Sequence, residues 1–293
     1  MGHSGTLDPL ASGLIIVLIN KATKFSDAFL KLPKEYIARI KFGIETDTLD
    51  IEGKIISKRD STGLNINSIN KVLDKFKGEV KQIPPMYSAL KHNGKPLYKI
   101  ARMGRSVERK TRDVKISCIE VLDFDGHILT IKVCCSSGTY IRTLADDIGK
   151  ALGTVAALYG LERSKVGEFC LEGSVKFKEI SDIEKINTLI KNNGKLISIE
   201  ELLENNPSIF IKSGNEKAII NGKRINPGMI DFERTDIKRL SGLPKRKGHD
   251  FNNMVIVNGL SGCILAVHSI SEKIKIDDIE SSEQEFTKSI VIF

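Results

Sequence analysis

Apolar positions along the chain follow two periods, and where each runs predicts an element. Lys34–Phe42 alternates, with Tyr36, Ala38, Ile40 and Phe42 on one face, which reads as a half-buried strand. Leu14–Leu18 is short and continuously apolar, the mark of a buried strand. Helical spacing covers Ala22–Leu32, ended by Pro33, then Asn67–Phe76 before Gly78, the short Leu97–Met103, and Thr139–Leu152 behind Ser136-Ser137-Gly138. Lys54–Lys58 is a further strand after a loop over Thr46–Gly53. Lys115–Phe124 and Ile128–Cys135 form a hairpin around Asp125-Gly126. The elements are mixed without strict alternation and often joined by short turns. This predicts an α+β architecture on a mixed, largely antiparallel sheet flanked by helices.

From about Asn205 the texture changes to short strands (Ser208–Lys212, Lys217–Ile220, Met254–Val257, Gly262–Ser269) between Gly, Asn and Pro turns. We therefore divide the chain into residues 1–206 and a small β-rich domain, 207–293. The 293 residues are 41% hydrophobic and 28% charged, enough for a sizeable core, but only 6% aromatic with no Trp, so Ile, Leu and Val must fill it.

The formal net charge of +8 fits a surface that meets a polyanion over part of its area. Two basic stretches carry that charge. One is Lys91, Lys95, Lys99, Arg102, Arg105, Arg109, Lys110 and Arg112 around the short helix, and the other runs from Lys238 to His249. Residues 1–12 are polar and Gly-rich, unlike a secretion signal, and Leu14–Ile19 is too short to span a bilayer. A cytoplasmic protein with no membrane segment is expected. Cys118, Cys134, Cys135, Cys170 and Cys263 form no C-x-x-C pair and read as reduced residues with no zinc site; Cys134 and Cys135 should point to opposite faces of their strand.

Three stretches can carry chemistry. Gly2-His3-Ser4-Gly5-Thr6-Leu7-Asp8-Pro9-Leu10-Ala11-Ser12-Gly13 puts a carboxylate at the tip of a glycine-flanked loop, where backbone and ligand can approach closely. It is neither a phosphate loop nor a nucleophile elbow, because the Gly-Lys-Ser/Thr and Gly-x-Ser-x-Gly patterns are absent. Ser136-Ser137-Gly138-Thr139-Tyr140-Ile141-Arg142 opens a helix with Arg142 near its start and Asp146 four residues on, in reach of an intrahelical pair. Glu45–Gly53 tempts a calcium assignment, but aligning Gly53 with the invariant glycine puts Thr48 first and Arg59 twelfth; it reads as a polar loop.

Taken in order, these stretches resemble the TruB-type tRNA pseudouridine synthase family. The match runs through the Asp8 loop, Lys34-Glu35-Tyr36, Gly43–Asp50, Ile83–Lys91 with Gly94–Tyr98 and Ala101–Gly104, and Cys135–Leu144. It is weaker beyond Pro207, where Ala218–Lys223 resembles the start of a PUA-like RNA-binding barrel. The resemblance implies isomerisation of the T-loop uridine of tRNA (position 55 in tRNA numbering) to pseudouridine, with the base flipped out of its stack. Asp8 would be the nucleophile, Arg142 would hold its charge and direction through a forked hydrogen bond, and Tyr36 would lie against the base and help remove the C5 proton.

Leu161 would line the apolar wall and His3 the mouth. Tyr140, Lys91 and Arg102 would meet substrate, the last two from an RNA-binding insertion at about 83–112. No cofactor or metal is implied, nor any obligate protein partner; a monomer acting on the tRNA T stem-loop is expected. Family members usually carry a strand and a Lys-Pro stretch ahead of the loop, which here opens the chain. Glu162 stands where the family often has a second Arg. The alternatives are a catalytically inactive tRNA-binding and refolding protein of the same ancestry and the catalytic subunit of a guide-RNA particle.

Overall fold

A computed structural model describes residues 1–176, 196–236, 251, 254–259, 261, 263–270 and 287–292. The chain runs β1 (Gly2–His3), β2 (Ala11–Gly13), β3 (Val17–Leu18), α1 (Ser26–Lys31), β4 (Lys34–Phe42), β5 (Ile44–Thr46), β6 (Ile55–Lys58), α2 (Ile66–Leu73) and β7 (Gly78–Gln82). It continues through β8 (Lys91–His92), β9 (Lys95–Pro96), α3 (Leu97–Arg102), β10 (Arg112–Phe124), β11 (Ile128–Cys135), α4 (Ile141–Ala151), β12 (Ala156–Val166) and β13 (Phe169–Cys170). After residue 196 come α5 (Ile199–Leu202), β14 (Ser208–Phe210), α6 (Glu216–Ile220), β15 (Met254–Asn258), β16 (Ile264–Ile270) and β17 (Thr287–Ile292).

Contacts divide these elements into two compact units. One holds Thr6–Ile15 and Leu32–Ser174; the other holds Met1–Gly5, Ile16–Lys31 and Val175–Phe293. These limits differ from the sequence boundary at 206/207: the second unit takes in β1, β3 and α1 and resumes at Val175. In the second unit Gly2 pairs with Leu18, and Phe25 and Phe29 pack on Phe251.

The first unit is a seven-stranded sheet in the order β13-β12-β4-β11-β10-β7, with β2 added parallel to β12. All its other pairings are antiparallel. The α+β expectation of a mixed, largely antiparallel sheet therefore holds. Alternation works on β4 as read: Ala38, Ile40 and Phe42 are buried, and with Leu129, Ile131, Val133, Ala156 and Leu158 they form one face. Onto that face α2 brings Ile69 and Leu73, and α4 brings Ile141, Leu144, Ala145 and Ile148. The apolar stripes have helical spacing, so burial and not propensity holds these short helices. Gly149 of α4 lies against β12 so closely that a Cβ there would come within 2.6 Å of the Ala156 nitrogen.

Three local readings are corrected. Leu14–Leu18 is not one buried strand: Leu14 is buried, but Ile15 and Val17 are exposed as the chain passes from one unit to the other. Lys217–Ile220 lies in the helix α6, where Ile219 alone is buried and neighbouring Ile220 faces solvent; the run is too short to separate the two periods. The cysteines are not all reduced. Cys118 and Cys134 are register partners on β10 and β11 with Cα atoms 4.9 Å apart, inside disulfide range, and their sulfurs are bonded. Cys135, as its adjacency required, points the other way into the core.

The second unit pairs β14-β15-β16-β17, with Ile209, Ile211, Ile219, Ile225, Met229, Val255, Val257 and Ala266 as its core. The basic run Lys238–His249 lies outside the described residues. On β16 His268 is fully buried, and burial holds its imidazole down at about 4. The unfolded chain then binds a proton below about 6.5 that the folded chain refuses until about 4. Stability contributed by this group is therefore full above that window and falls as pH drops through it. Urea midpoints of this unit should decline between pH 6.5 and 4, and His268→Gln should flatten that part of the curve.

Candidate active site

The Asp8 loop of the first unit turns at Asp8-Pro9, where the Ala11 amide donates to the Asp8 carbonyl at 2.9 Å and Pro9 fixes the turn. Past the turn, β2 aligns Ala11, Ser12 and Gly13 with Leu161, Glu162 and Arg163 of β12. Gly13 must be glycine. Its φ is +109°, and a Cβ would lie 2.4 Å from the Arg163 carbonyl oxygen. Pairing with a long strand thus anchors a loop whose own sequence is mostly turn formers.

Arg142 meets Asp8 in a fork. Its Nε donates to Oδ2 and its Nη2 to Oδ1, both at 2.9 Å. The carboxylate is 35% exposed while the guanidinium is 5% exposed, so the acid faces outward from a buried cation. Such two-point pairs fix direction as well as charge. The remaining donors are also engaged: Nη2 gives to the Tyr87 carbonyl at 2.9 Å and Nη1 to the Thr48 carbonyl at 3.2 Å. The intrahelical pair expected with Asp146 does not form; Asp146 takes Lys150 at 2.7 Å.

Arg142 is aimed by the start of α4, which has no side-chain cap of its own. Buried Gln82 substitutes, its amide accepting from the Tyr140 N–H at 3.0 Å and donating to the Tyr140 carbonyl at 3.2 Å. The clasp satisfies the Tyr140 N–H that a helix start leaves open and adds a second bond to a carbonyl that already accepts from the Leu144 amide.

Asp50 was missed in the sequence. Its Oδ2 lies 3.7 Å from Arg142 Nη1, both side chains being buried, and its Oδ1 accepts from the Thr48 hydroxyl at 2.7 Å and the Glu52 amide at 3.1 Å. The loop holding it is strapped to β12 through Leu158, whose N–H gives to Leu49 and whose carbonyl takes from Ile51, each at 3.0 Å. Leu49 has a φ of +64°, unusual for a residue with a side chain, and the one local hint that this loop is held from outside. Asp50→Asn keeps the Thr48 and Glu52 bonds but removes the second charge on Arg142. Single-turnover reaction is expected to slow about tenfold, near 1.4 kcal/mol, with tRNA affinity little changed.

The other residues singled out in the sequence divide. Tyr36 and Leu161 pack with Leu10 against the core face, and Leu161 stands between Ala11 and Ala38 in the sheet. Burial first, then the neighbouring Cys135, pushes the Tyr36 phenol up to about 12, with Asp8 adding and Arg163 opposing. It is a neutral O–H at pH 7. The Tyr140 phenol is raised as well, again mainly by burial, and it too feels the charges of Arg142 and Asp8.

Lys91 lines a groove of about 530 Å³ with His92, Arg109, Lys110 and Arg112. Arg102 is not in that lining; its guanidinium sits 5.6 Å over the Tyr98 ring. His3 lies in the other unit, its Nδ1 accepting the Gly5 amide at 3.2 Å. Among the described residues no cluster of three or more His, Cys, Asp or Glu is placed to hold a metal ion, and no helix is long and apolar enough to cross a membrane.

Comparison with known proteins agrees with the motif order. Residues 1–141 match the TruB family pseudouridylate synthase, N terminal domain. The chain is 47% identical over 185 residues to tRNA pseudouridine synthase B of Endomicrobium trichonymphae, covering 63% of this chain and 80% of that one. It is 50% identical over 183 residues to the protein of the same name from Francisella philomiragia, covering 62% of this chain and 61% of that relative's length. Against the Bordetella avium protein of that name it is 45% identical over 203 residues, 69% of this chain and 81% of the relative.

Among solved structures, a chain of the crystal structure of a Cbf5-Nop10-Gar1 complex superposes with a TM-score of 0.64 over 99% of this chain and 76% of that chain. A structure of an H/ACA RNP bound to a substrate RNA containing 2′-deoxyuridine gives 0.63 over 100% and 75%. At 23% and 22% identity these two speak for the fold alone. With the relatives' identities and coverage added to the motif order, the chain belongs to the TruB family of pseudouridylate synthases.

Proposed function

We propose that this protein isomerises the T-loop uridine of tRNA (position 55 in tRNA numbering) to pseudouridine, with Asp8 as nucleophile. The observation that carries the reading is the forked Arg142–Asp8 pair, which leaves a charged, directed and partly open carboxylate at a loop tip. The reaction breaks the bond from ribose C1′ to N1, turns the base over and joins C1′ to C5, which then loses its proton. It needs no net oxidant. A carboxylate that attacks, or that stabilises the electron-poor sugar, supplies what the first step requires.

Tyr36 and Leu161 give an aromatic face and an apolar wall for a base taken out of its stack. Tyr140 adds a second phenol under the influence of the same carboxylate. The basic groove at Lys91, with Arg102 nearby in sequence, grips phosphates. Residues 1–206 carry catalysis and 207–293 a PUA-like domain adds RNA contacts. The protein acts as a monomer in the cytoplasm without a guide RNA or protein partner.

The test is release of tritium from uracil C5 of unmodified tRNA by the full chain alone. Release matched by appearance of pseudouridine is expected, and it should vanish when the target uridine is replaced by cytidine. Tight tRNA binding with no release after prolonged incubation would replace this reading by the refolding one.

A further inference from the structure

One buried cation in this unit has no part in the fork at Asp8, and its contacts join two pieces of the site. Arg163 is 2% exposed, among the largest fully buried side chains of the protein. On β12 it is the register partner of Tyr36 on β4 and also of Gly13 on β2. Its Nε donates to the Leu14 carbonyl at 2.8 Å, and the Leu14 amide returns a bond to the Arg163 carbonyl at 2.7 Å. Direct cross-strand partners project to the same face of a sheet, so the Arg163 and Tyr36 side chains are neighbours, and the guanidinium's charge opposes the rise of the Tyr36 phenol.

We propose that Arg163 is a positioning residue for pseudouridine formation. It ties the end of the Asp8 loop to the phenol of Tyr36, so that carboxylate and ring keep one separation. A guanidinium has five N–H donors in a rigid plane and nothing to accept with. Toward such a group the phenol oxygen can only accept, so the contact proposed here turns the tyrosine's own O–H away from Arg163. The same contact fixes the height of the ring. Lysine cannot do both: an ammonium has the charge but not the planar fork that serves Leu14 and Tyr36 together.

Serine at 164 adds a side link, its hydroxyl bonding the Glu35 carboxylate at 2.7 Å next to Tyr36, so the β12–β4 contact is stiff here. Glu162, by contrast, is exposed. In the Leu161-Glu162-Arg163 run, then, the interior arginine is the one that shapes the site.

This inference rests on the reading of Asp8 and Tyr36 as the reacting pair, and its test has two arms. In the first, the full chain is labelled with ¹³Cζ-tyrosine, which gives five signals, one for each tyrosine. The Tyr36 signal is identified by its loss in Tyr36→Phe. In Arg163→Lys that signal is expected to move while those of Tyr98 and Tyr159 stay. An unmoved Tyr36 signal overturns the proposal whether or not the protein is active.

In the second arm, single-turnover tritium release by Arg163→Lys is expected to fall about 100-fold, the effect of a small displacement of reacting groups, with tRNA Kd changed less than about threefold. In the Tyr36→Phe background the same substitution should matter less than about threefold, because the residue it acts through is gone. Equal losses in both backgrounds, or a loss confined to Kd, overturn it. If Arg163→Lys proves too unstable to assay, Arg163→Gln is read in both arms by the same criteria. A wild-type protein that releases no tritium defeats the functional reading, and the labelled-tyrosine arm still decides whether Arg163 holds Tyr36.

Discussion

Asp8→Asn is expected to lower single-turnover pseudouridine formation by about 10⁴-fold or more, on the order of 5 kcal/mol of transition-state stabilisation. Asparagine keeps the size of the side chain and can still accept one bond from Arg142, so the loop should stay folded. What it loses is the negative charge that faces outward from the buried guanidinium. The Tm should move by only a few degrees and tRNA binding should persist. Tritium release from tRNA labelled at uracil C5, followed by nucleoside analysis, measures the effect. Release at the wild-type rate from the variant would remove Asp8 from the chemistry, whatever else the protein does.

Arg142→Ala is the second large effect, and it should divide differently. The guanidinium serves Asp8, Asp50 and the carbonyls of Thr48 and Tyr87 at once. Removing it leaves a buried carboxylate and two carbonyls unpaired, a loss of about 3–5 kcal/mol for a broken buried pair. A lower Tm and a fall in turnover of about 10³-fold are expected together, with Kd for tRNA changed far less. Arg142→Lys separates the two parts: charge at the position returns some stability, but a lysine cannot fork onto Asp8. Turnover should then remain at least about 100-fold down. A loss seen only in Kd would make Arg142 a phosphate contact instead.

How far the sequence was readable depends on where each residue's partner lies. β4 was plain because Tyr36, Ala38, Ile40 and Phe42 alternate without interruption on a one-sided sheet. Its neighbour β12 was not read as a strand at all, although it receives the Asp8 loop through β2. Bulges between Leu158 and Gly160 and between Arg163 and Lys165 break its period, and charged residues run through it. The Asp8 loop and the Arg142 helix start were visible through their glycines and their order along the chain.

That Asp50 closes on Arg142 was invisible, because nothing in Thr46–Gly53 indicates a cation supplied from ninety residues downstream. For the same reason Arg142 was assigned a local partner, Asp146, when its real one lies across the unit. The Cys118–Cys134 bond needed the register of two strands, which no count of cysteines supplies.

The pairing of β2 with β12 has a consequence for when the protein can work during its own synthesis. Asp8 is made before both the arginine that directs it and the strand that seats its loop, which come more than a hundred positions later. Contacts so distant along the chain form late, since a long loop must close before they return any free energy. On the proposed reading, a nascent chain still short of Val166 holds the acid on an unseated loop and cannot yet act on RNA. Ribosome-bound chains should therefore switch from inert to competent over the span of a single strand, once Val166 has emerged from the ribosome.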